Sequence, residues 1–308
     1  MGRSALAAAV ALGIDALVGD EPFRPHPVAI FGRAMTRLER RIWDDRRSSG
    51  IGYTLTGVLT AGGGGMLLDR LPGGMIAGGY TAVAGRGLWS AASSVARALD
   101  AHDLPAARRL LPSLVGRDPA SLGSGEIARA AVESVAENTV DGIVAPALWA
   151  AIGGAAGALA YRAVNTLDSM VGYRDERYER FGWASARLDD LANFVPARLT
   201  VGLVAALRPR SAPEIWRAVR LEAPAHPSPN AGVAEAAFGA ALGLRLGGTN
   251  SYGGHAEHRA TAGARGGRMP EPSDIGRAVA LSRQVALGLA GALALVGAAE
   301  SRRRTEPA

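Results

Sequence analysis

The run ARAAVESVAENTVDGIVAPALWAAIGGAAGALAYRAVNTLDSM, residues 128–170, decides how this chain is read. It sets Glu133, Glu137 and Asp141 four residues apart and then enters an uncharged segment, residues 142–161. On a helix that spacing stacks three carboxylates along one face, where like charges repel and weaken the helix. The uncharged segment matches the roughly 20 apolar residues that a membrane-spanning helix needs. The pattern therefore predicts a membrane helix with acids at its mouth, an arrangement that is costly unless a cation fills it.

Working outward, further apolar stretches occupy residues 4–18, 50–68, 71–85, 199–207 and 284–299. The stretch 50–68 reaches span length, 284–299 comes close, and 199–207 falls short. The glycine-rich part, 50–85, reads as a helical hairpin or as one span plus a re-entrant segment, its small residues allowing close approach in lipid. Residues 4–18 could pass for a signal peptide, but they contain Asp15 and lead into GDEPFRPHP rather than a cleavage site, so they are expected to be retained. Residues 33–47, 93–137 and 173–190 read as Arg-rich helical segments between the spans, and the basic stretches 33–47 and 301–304 favour the cytoplasmic side. No strand alternation and no repeat emerges. The expected fold is all-α: a polytopic integral membrane protein, one domain over residues 1–308, with about four to six membrane helices and amphipathic helices in cytoplasmic loops. The competing fold is a soluble all-α protein with buried helices.

Composition removes several chemistries. Cysteine is absent, which excludes disulfides, thiolate metal sites and cysteine nucleophiles. Lysine is absent as well, so all 34 basic residues are Arg, and neither a P-loop lysine nor a Schiff base is available. The net charge of +6 comes with only 5% aromatic residues and no basic block with interleaved aromatics, which argues against nucleic acid as a partner.

Four polar constellations remain as candidates. In the first, Glu133, Glu137 and Asp141 join Asn138; clustered carboxylates with an amide suit a hard cation such as Mg²⁺. In the second, NTLDSMVGYRDERY, residues 165–178, Asn165, Asp168 and Ser169 share a helical face, followed by Tyr173, Arg174 and Asp175. An ion pair of Asp168 with Arg162 or Arg174 is the structural alternative there. The third, RLDDLANFVPAR, sets Asp189 and Asn193 at i, i+4 beside Asp190, again a metal-like pattern. The fourth, residues 226–254, starts HPSPNAG: Pro227, Pro229 and the glycines predict turns, with a helix starting near Ala231 whose N–H groups could cradle a phosphate. His26 and Asp20, a residue suited to cap a helix, add to the N-terminal side. The catalytic candidates are thus Glu133, Glu137, Asp141 and Asp168. The metal candidates are Glu133, Glu137, Asp141, Asp189 and Asp190. The substrate-binding candidates are Asn138, Arg174, Asn193, His226, Asn230 and Arg245.

Together LGIDALVGDEPFRPHPVAIFGR, ARAAVESVAENTVDGIVAPALWAAIGG, YRAVNTLDSMVGYRDERYERFGWASARLDDLANFVPARLT and HPSPNAGVAEAAFGAALGLRLGG resemble the CobD/CbiB family of cobalamin biosynthesis, in the same order over residues 12–254. The chain departs from that family in lacking Lys and in its short, glycine-heavy second apolar region. The resemblance implies a multi-pass protein of the cell (inner) membrane, in contact with lipid, with its active site on the cytoplasmic side. It implies ATP-dependent, Mg²⁺-dependent amide formation between a propionate of adenosylcobyric acid and (R)-1-aminopropan-2-ol or its O-phosphate, with homo-oligomerisation left open. Acids at span ends would equally suit a cation transporter, and a non-enzymatic membrane sensor of the same superfamily is the other alternative.

Overall fold

Two prolines and one glycine sit inside helices that are otherwise long and apolar, and the way each break is repaired organises much of the structure. The computed structural model describes residues 2–19, 25–116, 119–173, 175–252 and 255–305. It is 78% helical. In chain order the helices are α1 (Gly2–Val18), α2 (Pro27–Ile42), α3 (Arg47–Leu68), α4 (Gly74–Ala82), α5 (Gly85–Asp100), α6 (Leu104–Leu110), α7 (Ser124–Thr139), α8 (Ala145–Val171), α9 (Trp183–Leu207), α10 (Ala212–Leu221), α11 (Ala231–Leu242) and α12 (Pro272–Thr305). A β-hairpin, β1 (Arg245–Tyr252) and β2 (His255–Gly263), lies between α11 and α12. Among the described residues four helical stretches are long and apolar enough to cross a membrane: Arg47–Leu68, Ser124–Val171, Trp183–Leu207 and Pro272–Arg303. The expected all-α polytopic membrane fold is the one observed.

The chain divides into two compact units. The first holds Met1–Ala84, Asp141–Asn193 and Leu289–Ala308, the second Gly85–Val140 and Phe194–Gly288.

In the first unit α8 is the central element, packed by α1, α3 and α4. Its apolar length cannot form one straight helix. Pro146 has no N–H for the carbonyl of Gly142, and the chain passes through a π-turn, Val140–Val144, where the Ala84 N–H donates to that carbonyl instead, at 2.8 Å. Further along, Gly154 takes φ 61° and ψ −146°, a conformation open only to glycine, and splits α8 into two half-helices. The Asp69 carboxylate, just past the end of α3, accepts from the N–H groups of Ala155 (2.8 Å) and Ala156 (3.2 Å) and so caps the second half-helix. Close packing makes this possible: a Cβ on Gly65 would lie 2.5 Å from Ala156 Cα. The amphipathic α2, started by Pro27 behind an N-cap His26, turns Phe31, Met35, Leu38 and Ile42 onto Tyr53, Leu167, Val171 and Phe181. Its Arg33, Arg37, Arg40 and Arg41 stay exposed, as expected of a helix lying between spans.

In the second unit α11 is buried on every side, as suits a core helix, and α7 is nearly so. Trp89 Nε1 donates to Ser282 Oγ (2.9 Å), which also receives Thr139 Oγ1 (2.7 Å), so three distant stretches share one buried hydroxyl.

Several expectations need correction. The short run 199–207 is the end of the 25-residue α9; the charged Arg187, Asp189, Asp190 and Arg198 hide its earlier turns from an apolar scan. Of the two readings of 50–85, one span plus a shorter segment fits: α3 has span length, and 71–85 yields the nine-residue α4. Turns occupy 176–182, where a helix was expected from 173 to 190, and Asp20 and Arg174 fall outside the described residues. The antiparallel hairpin was not foreseen, because Gly247 (φ 92°) and Gly248 (φ 99°) form an irregular step in β1 and no apolar alternation marks either strand.

The break at Gly154 generates a test. Gly154→Ala forces a Cβ to within 2.7 Å of Asp69 Oδ1 and a side chain into a glycine-only conformation. We expect a loss of about 1–3 kcal/mol, read as a lower thermal midpoint in detergent; an unchanged midpoint would show that the break carries no strain.

Candidate functional site

The side chains that follow from these breaks converge on two acids in the first unit. Asp141 sits in the π-turn and Asp189 on the first half of α9. Asn165, on the second half of α8, places its Nδ2 3.4 Å from Asp141 Oδ2 and 3.4 Å from Asp189 Oδ1. The buried Asn193 donates from Nδ2 to Asp189 Oδ2 at 3.0 Å. Each amide is fixed in its orientation by a donor on its oxygen. Arg162 donates from Nη1 to Asn165 Oδ1 (3.1 Å), while its Nε and Nη2 bind the carbonyl of Ala82 at the end of α4. The hydroxyl of the buried Tyr161 donates to Asn193 Oδ1 (2.8 Å) and lies 3.2 Å from the carbonyl of Asp141. With both oxygens accepting, both amides must turn their NH₂ groups toward the carboxylates. Trp149 adds a brace: its Nε1 meets the carbonyl of Ala192 (3.1 Å), which Pro196 cannot pair along α9.

Two acceptor-only carboxylates thus share one amide nitrogen among apolar helices. Hard oxygen donors of this kind fit Mg²⁺, which takes one or two carboxylates and completes its shell with water and phosphate oxygens. Among the described residues no three of His, Asp and Glu gather as a ready-made metal cluster. Among the described residues the chain provides a pair, not a cage.

The remaining candidates are placed as follows. Glu133 and Glu137 belong to the second unit, whereas Asp141 and Asp189 belong to the first. Glu133 is buried, accepts from Gly247 N–H (2.8 Å) and has Arg129 Nε at 3.8 Å, while Glu137 is exposed. The four-residue repeat therefore does not make one uniform acidic face. Asn138 turns back on its own helix, donating to the carbonyl (3.0 Å) and Oγ (3.1 Å) of Ser134. Asp168 leans over Gly172, where a Cβ would lie 1.9 Å from its Oδ1. Asp190 faces Arg187 at 3.8 Å. His226 accepts at Nδ1 from Ser228 N–H (3.1 Å), with Nε2 3.8 Å from Glu235 Oε1. Asn230 starts α11, as expected, and its Oδ1 receives Arg198 Nη1 at 2.7 Å.

Arg245 donates to Glu222 (3.0 Å) and to Thr261. Glu222 also binds Arg217 (2.7 Å) and Gly263 N–H (2.9 Å). Burial alone would raise the Glu222 pKa, but these donors outweigh it and hold the carboxyl below its ordinary value. Residues the sequence reading passed over are Tyr161, Arg198 and Glu222, and Arg162 entered it only as a possible ion-pair partner of Asp168. Tyr161 and Asn165 stand at i, i+4, the same spacing that marked Asp189 and Asn193, and that was the available signal.

The family model described as CobD/Cbib protein matches residues 8–282. A relative in Mycobacterium tuberculosis (strain CDC 1551 / Oshkosh), "Cobalamin biosynthesis protein CobD", is 48% identical over 289 residues, 90% of each chain. A Geobacter metallireducens protein of the same name is 48% identical over 265 residues, covering 81% of this chain and 83% of its own. One in Halalkalibacterium halodurans is 42% identical over 300 residues, 92% and 93% of the two chains. No solved structure matches. The chain belongs to the CobD/CbiB family.

The Glu222 network predicts a pH signature. A carboxyl whose folded pKa is depressed contributes stability above its unfolded pKa, about 4.3 for Glu, and loses it as pH falls through the folded value. The thermal stability advantage of wild type over Glu222→Gln should be full at pH 6 and shrink steadily as the pH falls below 4. A difference independent of pH would place the effect in packing.

Proposed function

We propose that this CobD/CbiB-family chain acts in cobalamin biosynthesis, the pathway for which its relatives are named, as the ligase that attaches (R)-1-aminopropan-2-ol or its O-phosphate to adenosylcobyric acid. The reaction joins a propionate carboxylate to an amine, which requires the carboxylate to be activated. ATP supplies the activation: the carboxylate oxygen attacks the γ-phosphorus, ADP leaves, and an acyl phosphate forms. The amine then attacks the acyl carbon, loses a proton, and expels inorganic phosphate. The products are adenosylcobinamide or its phosphate, ADP and phosphate.

The observation that carries this reading is the carboxylate pair Asp141 and Asp189, drawn onto the single amide of Asn165 within apolar helices. Those two residues would hold Mg²⁺, which when bound neutralises phosphate oxygens and stabilises charge on the transferring phosphoryl group. Asn165 and Asn193 keep the acids at fixed positions, and Arg162 and Tyr161 keep the amides from turning over. A pre-set arrangement of this kind needs no reorganisation as charge develops. Glu133 serves instead to hold β1 to α7. Four membrane-length helices among the described residues support a multi-pass protein of the cell membrane, and a site that uses ATP belongs on the cytoplasmic side.

The test is ATP-dependent amide formation by the purified protein in detergent, followed by mass spectrometry. Asp141→Asn and Asp189→Asn should each lower kcat by about 100-fold or more, with folding retained, and Glu133→Gln should act mainly on stability. Wild-type turnover in the double Asn variant would remove the carboxylate pair from the mechanism; absence of any ATP-dependent amide product would remove the reaction.

A further inference from the structure

Arg198 is a cation without a counter-ion on a helix of membrane length. It lies in the second unit on α9, and among the described residues no carboxylate pairs with it; its contacts are Phe194, Pro229 and Asn230. A charged residue on such a helix is expensive, and when no acid neutralises it the charge marks a site. The position of the guanidinium is also over-determined. It stacks on the Phe194 ring, 3.8 Å from the centroid. Nη1 donates to the carbonyl of Phe194 (3.1 Å) and to Oδ1 of the buried Asn230 (2.7 Å), and Nη2 to the carbonyl of Pro229 (3.2 Å).

A guanidinium has five N–H donors. Both donors of Nη1 and one of Nη2 are engaged in these bonds. Nε and the second hydrogen of Nη2 remain, and an Nε–Nη2 pair can present the parallel fork that matches two oxygens of a phosphate or carboxylate. The side chain is only half-buried, which leaves part of it open to a ligand. Arg245, the arginine first expected to serve a phosphate, is instead neutralised by Glu222.

We propose that Arg198, aimed by Asn230 and Pro229 and seated on Phe194, is a phosphate-binding residue, and that on the function proposed above it holds the phosphate of the phosphorylated amino alcohol. That phosphate does not react, so it is a handle. A fixed fork on a handle strengthens ground state and transition state alike and shows in KM rather than in kcat.

Two measurements test this. First, inorganic phosphate should raise the thermal midpoint of the wild-type protein in phospholipid-free detergent. Arg198→Gln should abolish the shift, while Arg198→Lys, which keeps the charge but not the fork, should retain part of it. Second, Arg198→Gln should raise KM for the phosphorylated amine at least tenfold while leaving kcat/KM for the unphosphorylated amine within about twofold. A phosphate-induced shift that survives in Arg198→Gln overturns the proposal. So does a shift produced only by phosphatidylglycerol in mixed micelles, which would make Arg198 a headgroup anchor. An equal loss with both amines overturns it too, by making the residue structural. If no amine is ligated but the phosphate shift still depends on Arg198, the anion site stands and the ligase reading alone falls.

Discussion

Every backbone N–H and C=O in an apolar helix needs a partner, and at three places among the described residues the usual one is missing. Pro146 leaves Gly142 without its partner, Pro196 leaves Ala192 without one, and Gly154 interrupts α8. Water cannot make up the loss inside a membrane-length helix, so the protein must. Ala84 N–H, Trp149 Nε1 and the Asp69 carboxylate supply the repairs from other stretches of chain. Each repair locks an irregular backbone in place, and two of the three lie beside the acid–amide cluster. Asp141 occupies the π-turn that Pro146 causes, and Asn193 follows directly on the Ala192 carbonyl that Trp149 holds. The site is built where the helices cannot be regular.

Which parts of this were legible beforehand follows from the range of the interactions. The membrane-length stretches, the start of α11 and the Asp189–Asn193 pair depend on spacings of a few residues, and periodicity reports those directly. The acid stripe misled because helical spacing fixes direction but not neighbours: Glu133 is claimed by Gly247, 114 positions away. Arg245 was attractive as a phosphate ligand only because Glu222 and Thr261 could not be seen around it. The hairpin was hidden for a related reason. Its strands are anchored by Arg129, Glu133 and Glu222 rather than by alternating apolar side chains. Asn165 was noticed, yet its role rests on which way its amide faces, and only Arg162 decides that.

An all-arginine set of cations has a structural reason here. Arg129 reaches the carbonyl of Gly247 (2.6 Å) while close to Glu133. Arg217 joins Glu214 (2.8 Å), Glu222 (2.7 Å) and the carbonyl of Gly263 (2.9 Å). Arg277 links Asp274 (2.6 Å) to the carbonyl of Leu242 (2.8 Å). In each case one planar group satisfies an acid and a backbone carbonyl together, which the compact ammonium of lysine does poorly. At these three places arginine serves as the mortar between helices and hairpin.

The capping of α8 by Asp69 has a consequence for how the chain is made. Asp69 lies 86 residues ahead of the Ala155 N–H it binds. At a synthesis rate of about 5–20 residues per second, that interval is roughly 4–17 s. For those seconds the carboxylate has no partner from α8, and it must stay hydrated at the trailing edge of α3 while the intervening helices emerge. The half-helix it will cap finds the acceptor for its first N–H groups only there. Biogenesis of this protein is therefore not a sequence of independent helix insertions: an early segment has to remain at the water boundary, holding a place for a helix still on the ribosome.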